Sequence, residues 1–417
     1  MNGTSETQGS APTAIVWHPD LLQYRFSDRH PMAPLRLDLT HRLVEAFGLL
    51  RAEHVRVIEP PVATDQQLAG VHEPAYVAAV RAAAERGVAD EPRGLGTEDC
   101  PIFPDLHESA ARLAGGTLAA ARAVWAGQVR RAVNFAGGMH HAAAAKASGF
   151  CIYNDCALGI RHLLDAGAER VVYLDVDAHH GDGTQSIFYD DPRVLTISVH
   201  ETGFSLFPGT GFANEVGGPE ALGTAVNVAV PARTGDAGFL RAVNAVVPQL
   251  LRAFRPQVIV SQHGCDAHAD DPLADLRLSV DGQRRLALDV ADWAEQFAEG
   301  RWIATGGGGY NPLKVVPRVW THLVAAAVGA PIPVDAPVPD EWIEHVRGLG
   351  PDQVECDMSL TGEGEDAARI PRTMGEGADV WWRSWEVGYD PADPVDQAIM
   401  ATRKEVFPYH GLDPWFD

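Results

Sequence analysis

Two aspartates and a histidine at alternate positions form the most chemically informative pattern in the sequence. Asp175, Asp177 and His179 end an apolar run, and side chains two residues apart in an extended chain point to the same face. A carboxylate beside an imidazole is half of a metal site, and Asp266, after another apolar run, can supply a third ligand. Three protein ligands with open positions describe a catalytic site. The donor set suits Zn²⁺, and Fe²⁺ or another transition metal is also possible.

Two other interpretations of these residues stay open. The aspartates could be ordinary acidic strand ends, although charges inside an apolar run are costly unless they are paired or bound to a metal. His263 and His268 lie close enough to Asp266 in the sequence to compete with it as metal ligands.

A pair of adjacent histidines, His140 and His141, follows two glycines that allow the backbone to turn sharply. Two imidazoles beside a metal can activate a bound water and protonate a leaving amine. Asp175 and Asp182 are candidate carboxylate partners, which would raise the pKa of each imidazole and fix its tautomer. A role as metal ligands is the main rival interpretation for this pair.

Four consecutive glycines, residues 306–309, precede Tyr310 after another apolar run. So many glycines are costly in conformational entropy, which favours a segment whose backbone must approach a substrate or cofactor closely. A phosphate-binding loop is one alternative, but the Lys-Ser/Thr sequel of a P-loop is absent. At the rim of a site, the Tyr310 hydroxyl could stabilise an oxyanion, and its simpler role is that of a wall residue.

All these residues follow apolar, β-branched runs that predict a sheet. The predicted strands are residues 14–17, 55–58, 132–135, 171–176, 194–199, 258–261 and 302–305. Amphipathic helices are predicted between them, at residues 74–86, 108–125, 155–166, 237–253 and 282–298. The alternation predicts an α/β fold with a mostly parallel central sheet and helices on both faces. Ligands of such sheets bind at the carboxyl ends of the strands, where five of these runs end in His, Asp, Gly or Tyr.

The sequence predicts one catalytic domain at residues 14–330, preceded by a flexible N-terminal segment at residues 1–13. Beyond Gly329 the chain is rich in Pro and Trp and contains an acidic stretch at residues 361–366. We predict that residues 331–417 form a C-terminal extension packed on the core, with Trp381, Trp382 and Trp385 as anchors of that packing.

Composition limits the classes of partner and compartment. The 417 residues include 33 Lys and Arg against 56 Asp and Glu, for a net charge of −23. This charge disfavours nucleic acid and would attract cationic substrates such as lysine-bearing peptides or polyamines, although solubility alone also explains it. Five cysteines without a CxxC pair argue against a disulfide framework. Without a secretory signal or an uncharged apolar run of about 18 residues, the chain is predicted to be cytoplasmic and free of the membrane.

Jointly, the motifs resemble the zinc-dependent histone deacetylase family, closest to its class I pattern. They occur in the family's order over about residues 14–330 and, among bacterial members, the acetoin-utilisation (AcuC) type is nearest in length and tail. The resembling stretches are residues 30–34, 96–101, 137–141, 148–155, 174–183, 207–211, 264–266, 271–272 and 306–311.

The resemblance implies an arginase-like α/β domain that hydrolyses the acetyl amide of N6-acetyl-lysine in a protein or peptide and releases acetate. It implies that Asp177, His179 and Asp266 bind zinc. The same resemblance gives general acid–base positions to His140 and His141, with Asp175 and Asp182 as their partners, and a carbonyl-polarising position to Tyr310.

Further positions follow from the same resemblance. Phe150 and Phe207 match the aromatic walls of an acyl-lysine tunnel, with Gly149 and Gly308 among the substrate-binding positions. Asp99 matches a rim carboxylate that holds the substrate backbone. A monovalent cation, usually K⁺, is implied near Asp175, Asp177, His179 and Ser198.

Three alternatives remain beside a protein deacetylase. The first is a deacetylase of acetylpolyamines or another small amide, which the acidic charge does not separate from a lysine deacetylase. The second is a non-catalytic acyl-lysine binder, which the retention of Tyr310 and all candidate ligands disfavours. The third, a binuclear arginase-like hydrolase, ranks last because the chain has no second DxD motif of the required kind.

Overall fold

Short apolar stretches form eight strands in the computed structural model, which describes residues 12–27, 30–349 and 370–417. The strands are β1 (Thr13–Val16), β2 (Val55–Ile58), β3 (Arg131–Asn134), β4 (Val171–Asp175), β5 (Val194–Glu201), β6 (Ala225–Val230), β7 (Val258–Gln262) and β8 (Trp302–Thr305). They pair in the order β2-β1-β3-β8-β7-β4-β5-β6, and every pairing is parallel. This confirms the predicted α/β class with a parallel central sheet.

Among the described residues, eight helices lie between strands and three follow β8. They are α1 (Leu35–Ala46), α2 (Asp65–Leu68), α3 (Pro74–Arg86), α4 (Leu106–Trp125), α5 (Asp155–Asp165), α6 (Asp182–Phe188), α7 (Asp236–Phe254), α8 (Val280–Phe297), α9 (Val316–Val328), α10 (Asp340–Arg347) and α11 (Pro394–Val406). Short 3₁₀ turns lie at Pro19–Gln23, Leu49–Arg51, Glu91–Arg93, Trp385–Val387 and Phe407–His410. The sequence prediction omits β6 and the helices α1, α2, α6, α9, α10 and α11.

Helices cover the sheet in two sets that pack among themselves. One set joins α3, α4 and α5, and the other joins α1, α9, α8 and α7. Every residue of β1, β3, β4, β7 and β8 is buried, which a sheet covered on both faces requires. The edge strand β2 is only partly buried, which fits its place at the end of the strand order.

The strand order positions the chemically informative residues. β3, β8, β7, β4 and β5 are consecutive neighbours, and their carboxyl ends form one continuous edge because all of them run in the same direction. The segments that leave this edge carry the histidine pair, the glycine run with Tyr310, Asp266, and the Asp175–His179 motif. We call the edge formed by the carboxyl ends of these five strands the active-site edge.

The C-terminal extension, residues 331–417, packs on the core in its described parts. Trp342 in α10 is buried and donates its indole N–H to the backbone oxygen of Leu39. Trp385 is also buried, but Trp381 is 68% exposed, so the prediction that it anchors the packing is wrong. Cys356, the acidic stretch 361–366 and residues 1–11 lie outside the described residues.

The structure also bears on the sequence predictions about cysteines and membrane-spanning helices. The four described cysteines, residues 100, 151, 156 and 265, are free and buried. Within the described ranges, no helix has both the length and the apolar character needed to cross a bilayer.

Candidate active site

Asp177, His179 and Asp266 converge at the active-site edge. Each offers a ligand atom within 4.8 Å of the others, and all three residues are buried. The His179 Nδ1 atom lies 3.1 Å from Asp177 Oδ1 and 2.9 Å from Asp266 Oδ2. The motif after β4 and the segment after β7 therefore meet, because β4 and β7 are paired strands.

Neighbouring groups fix both carboxylates in place. Asp177 Oδ2 accepts hydrogen bonds from the Gln262 side chain at 2.7 Å and from the backbone N–H of Gly308 at 2.9 Å. Asp266 Oδ1 accepts from the backbone N–H of Ala178 at 2.9 Å. A Cβ atom on Gly308 would lie 2.0 Å from Asp266 Oδ2, so this position of the glycine run excludes any side chain.

The donor set and its charge fit a cation. Burial and the charge of Asp177 together raise the pKa of Asp266 to about 6. Burial alone would lower the pKa of His179, but the carboxylates of Asp266 and Asp177 outweigh it and hold the pKa well above its usual range. Two buried carboxylates that share one imidazole match the O,O,N ligand set of a catalytic metal site.

The histidine pair lies beside this cluster. His140 Nδ1 is 2.8 Å from Asp175 Oδ2, and His141 Nδ1 is 2.7 Å from Asp182 Oδ1. The two ring centroids are 4.0 Å apart, and His140 Nε2 lies 4.0 Å from Asp177 Oδ1. Each ring is thus oriented through its Nδ1 atom by its own carboxylate, as the sequence predicts for these pairs.

The two imidazoles have opposite pKa shifts. Burial would lower the pKa of His140, but Asp175 and Asp177 outweigh it and raise the pKa to about 9. Burial and the nearby charge of His140 lower the pKa of His141 to about 4, despite its bond to Asp182. These shifts favour a protonated His140 beside a neutral His141, because like charges at this distance disfavour each other.

Two residues that the sequence analysis does not assign hold the backbone of the pair. Asp155 accepts hydrogen bonds from the backbone N–H groups of Gly138 and Met139, at 3.0 and 2.7 Å. Asn154 caps α5 and also donates to the backbone oxygen of His140 at 3.2 Å. An Asn-Asp pair at the start of a predicted helix is the available sequence signal, but it indicates a helix cap before it indicates a site.

Tyr310 is oriented by another residue outside the predicted set. Its backbone N–H donates to Asp271 Oδ2 at 2.7 Å. The Tyr310 side chain is buried rather than exposed at a rim, at 8%. Burial and the charge of Asp266 raise the pKa of its phenol well above the usual value, which keeps the hydroxyl protonated as a hydrogen-bond donor.

A cavity of about 280 Å³ leads to these groups. The predicted residues in its wall are Asp99, His140, His141, Gly149, Phe150, Asp177, His179, Phe207, Gly308 and Tyr310. Phe207 is 45% exposed whereas Tyr310 is 8% exposed, so Phe207 lies nearer the mouth and Tyr310 nearer the floor. The wall is completed by residues that are not among the predicted positions, namely Met32, Gly138, Met139, Cys151, Leu206 and Leu273.

The mouth joins a carboxylate to an aromatic wall. Asp99 Oδ2 accepts a 2.6 Å hydrogen bond from the backbone N–H of Gly149. The next residue, Phe150, has a left-handed backbone with φ of 64°, and its ring meets that of Tyr310 edge-on at 5.6 Å. On the other side, the Phe207 ring lies 5.1 Å from that of His141.

The residues implied for a monovalent cation are partly brought together. Asp175 and Ser198 are register partners on β4 and β5. Asp175 Oδ1 accepts from the backbone N–H of Asp177 at 3.2 Å, and Ser198 Oγ lies 2.8 Å from His200 Nδ1. This arrangement places Ser198 beside the strand that ends at the motif, behind the predicted metal ligands.

The rival ligands His263 and His268 have partners elsewhere. His263 Nε2 lies 2.8 Å from Ser261 Oγ, and burial lowers the pKa of this imidazole to about 3. His268 Nε2 lies 3.1 Å from Glu376 in the C-terminal extension. Among the described residues, the cluster of possible metal ligands contains neither of them.

Comparisons with known proteins find a family model and relatives that match most of this chain. A family model described as Histone deacetylase domain matches residues 30–327. "Acetoin utilization protein AcuC" of Bacillus subtilis (strain 168) is 37% identical over 399 residues, which cover 94% of this chain and 98% of that protein. The protein of the same name from Staphylococcus xylosus is 38% identical over 335 residues, or 79% of this chain and 86% of that protein.

A solved structure shows the same arrangement of the chain. A crystal structure described as an HDAC homolog complexed with SAHA aligns with a TM-score of 0.80 and 27% sequence identity. The alignment covers 94% of this chain and 100% of that one. The match therefore extends past the C-terminal limit of the family model and includes much of the C-terminal extension.

Proposed function

The chain belongs to the histone deacetylase family and is a deacetylase amidohydrolase of the AcuC type, and on that premise we propose that it hydrolyses the acetyl amide of N6-acetyl-lysine in proteins. The observation that carries the proposal is the convergence of a buried Asp-His-Asp cluster, two carboxylate-bound imidazoles and a protonated phenol around one narrow cavity. A metal site, a general base and an oxyanion donor are the groups that hydrolysis of an amide requires.

Asp177, His179 and Asp266 would hold the metal, Zn²⁺ in the proposal. A divalent ion there polarises an amide carbonyl and lowers the pKa of a water molecule. The protein's part is to hold the two carboxylates in place, through Gln262 and the backbone N–H groups of Ala178 and Gly308. Donor groups held in this way favour one coordination geometry.

The histidines and the tyrosine move or stabilise charge. His141, neutral beside Asp182, takes a proton from the water that attacks the amide carbon, while His140 assists electrostatically. Tyr310 donates its hydroxyl hydrogen bond to the carbonyl oxygen as negative charge develops there. The proton held on the imidazole then passes to the lysine nitrogen as the C–N bond breaks, which leaves acetate and a free amine.

The cavity supports a long, thin substrate arm. Phe150 and Phe207 contribute apolar wall surface, which suits the methylene groups of a lysine side chain. Asp99, at the same cavity, carries a carboxylate that can accept hydrogen bonds from the backbone N–H groups of a bound peptide. We further propose that K⁺ binds behind the motif, near Asp175, Asp177, His179 and Ser198.

The proposal is tested by acetate release from purified, metal-free protein after reloading with Zn²⁺ or, separately, Fe²⁺. The substrates are an acetyl-lysine peptide and N-acetylputrescine at equal concentrations. We expect hydrolysis of the peptide, with kcat/KM at least about tenfold higher than for the small amine, because only a peptide can use Asp99 and the residues around the mouth.

The matched control is Asp99→Asn, which keeps the size of the side chain. It is expected to lower kcat/KM for the peptide by a larger factor than that for N-acetylputrescine, whose ammonium group can interact with the Asp99 carboxylate but which has no peptide backbone. Activity on the acetylated amine alone would support the small-amide deacetylase instead. Metal binding without hydrolysis of either substrate would support a non-catalytic acyl-lysine binder.

A further inference from the structure

The segment that carries Asp266 is fastened to the C-terminal extension by one carboxylate. His268 Nε2 lies 3.2 and 3.1 Å from the two carboxylate oxygens of Glu376. His268 is buried, at 2%, and lies two residues beyond Asp266. Glu376 lies outside residues 30–327, the range that the family model matches.

The hydrogen bonds of His268 show which of its ring nitrogens carries the proton. The backbone N–H of Asp270 donates to His268 Nδ1 at 3.0 Å, so Nδ1 must be unprotonated there. The ring proton is therefore on Nε2 and points at the Glu376 carboxylate. A histidine held between a backbone donor and a carboxylate has a fixed tautomer and a fixed ring plane.

Glu376 is itself held from several directions. Arg318 of α9 donates to Oε1 at 2.8 Å, and the backbone N–H of Val280, the first residue of α8, donates to Oε2 at 3.2 Å. The backbone N–H of Glu376 donates to Asp281 Oδ2 at 2.7 Å. One side chain of the extension thereby ties the starts of α8 and α9 to the segment that follows β7.

That segment carries two groups of the candidate site. Asp266 is in the Asp-His-Asp cluster, and Asp271 accepts the backbone N–H of Tyr310. Between them, the backbone N–H of Asp271 donates to the backbone oxygen of His268 at 3.0 Å. A shift of His268 is thus passed to a predicted metal ligand on one side and to the support of Tyr310 on the other.

We propose that Glu376 is a positioning residue for the active site, which acts through His268 on Asp266 and Tyr310. The inference rests on the proposed function, since it assigns the role of Glu376 through the residues proposed to bind the metal and the substrate carbonyl. It gives the C-terminal extension a part in the reaction although none of its described residues lines the cavity.

The test compares Glu376→Ala, Glu376→Gln and wild type, each loaded with Zn²⁺. The first measurement is the rate at which a chelator removes the metal, which needs no acylated substrate. We expect Glu376→Ala to lose metal about tenfold faster and to lower kcat about tenfold with KM within twofold of wild type. Glu376→Gln is expected to be intermediate, because its amide oxygen still accepts the His268 N–H.

The matched control is Glu386→Ala, which removes an exposed glutamate from the same extension and should leave metal release and kcat unchanged. Wild-type metal release and kcat in Glu376→Ala would overturn the inference. A lowered melting temperature with unchanged metal release and kcat would also overturn it, by showing a role in stability only. If Glu376→Ala does not fold, the same two outcomes are read from Glu376→Gln.

The two proposals fail in different ways. A wild-type protein that binds Zn²⁺ but hydrolyses no acetyl-lysine peptide would contradict the proposed function, while metal release would still decide the role of Glu376. Faster metal loss from Glu376→Ala in that case would support its action on Asp266. A wild-type protein that binds no divalent metal would overturn both.

Discussion

The active-site edge and the C-terminal extension both bury carboxylates, but they neutralise them differently. Asp396 in α11 is fully buried and accepts hydrogen bonds from the guanidinium groups of Arg241 and Arg383. Asp177 and Asp266 are buried to the same extent. Within the described residues, their hydrogen-bond and ion-pair partners are His179, His140, Gln262 and backbone N–H groups, with no arginine or lysine.

With its arginine partners, Asp396 forms a complete ion pair. Asp177 and Asp266, without arginine or lysine partners among the described residues, form a site suited to binding a cation. Around Asp396, the arginines hold the pKa of the carboxyl below its usual range even though burial alone would raise it. At the active-site edge, burial and Asp177 raise the pKa of Asp266, while His140 and His179 hold the pKa of Asp177 well below its usual value. Buried charges need compensation, so a carboxylate pair whose charged partners are histidines, which can also bind a metal, is a more specific sign of metal binding than burial or acidity alone.

The largest expected effect tests the carboxylate pair at the active-site edge. Asp177→Asn should lower turnover by about 10³-fold or more, because it removes a charged ligand from an ion that contributes several kcal/mol to transition-state stabilisation. In metal-free protein, the same variant should lower the melting temperature, since it removes the carboxylate that partners His140 and His179 in the folded state. Acetate release and thermal unfolding check these two expectations, and metal content shows whether the ion is lost. Full metal content with wild-type turnover would contradict the comparison.

The second-largest effect should fall on the chemical step and not on metal binding. Tyr310→Phe should lower kcat by about 10²- to 10³-fold, the usual cost of removing one donor to a developing oxyanion. Metal content should stay at the wild-type level, because Tyr310 is not in the Asp-His-Asp cluster. Steady-state kinetics and metal analysis of the same preparation check this. Loss of metal together with activity would show that the phenol supports the ligands rather than the reacting carbonyl.

Substitution of Asp396, the carboxylate paired with arginines, should affect stability but leave the reaction and metal binding unchanged. Asp396→Asn leaves Arg241 and Arg383 without their charged partner, and breaking a buried pair costs about 3 kcal/mol, a roughly 10²-fold change in the folding equilibrium. The folded fraction should keep wild-type kcat and metal content. Denaturant unfolding and kinetics below the transition check it. A stable variant that lost metal would show that the extension is not separate from the site in the way that Asp396 implies.

Much of the active-site edge is predictable from the sequence because its residues follow strands directly. His140, Asp177, Asp266 and Tyr310 each come within six residues of a strand end, and parallel strands bring such segments together. The strand β6 is missed because Asn227 interrupts its apolar pattern.

The residues that hold the site residues in place are not predictable from the sequence in this way. Gln262 reaches Asp177 across 85 positions, Asp271 reaches Tyr310 across 39, and Glu376 reaches His268 across 108. Local periodicity carries no information about such pairs, since each depends on how separate elements pack. Trp381 shows that local composition can also mislead. It lies in a Trp-rich stretch, which predicts packing on the core, but its side chain is exposed.

The smallest effect concerns the carboxylate that links the two regions. Burial alone would raise the pKa of Glu376, but its bonds to His268 and Arg318 lower the pKa from 4.5 to about 2. A carboxyl group with a lowered pKa stabilises the folded state fully above its unfolded pKa, and this stabilisation is lost as pH falls toward the folded pKa. The difference in unfolding free energy between metal-free wild type and Glu376→Gln should therefore be constant above about pH 5.5 and shrink between about pH 4.5 and 2. Urea unfolding at several pH values measures it, with Glu386→Gln as the control that should show no such change. An undiminished difference at about pH 3 would mean that Glu376 is not ion-paired in solution, and that the extension meets the active-site edge through packing alone.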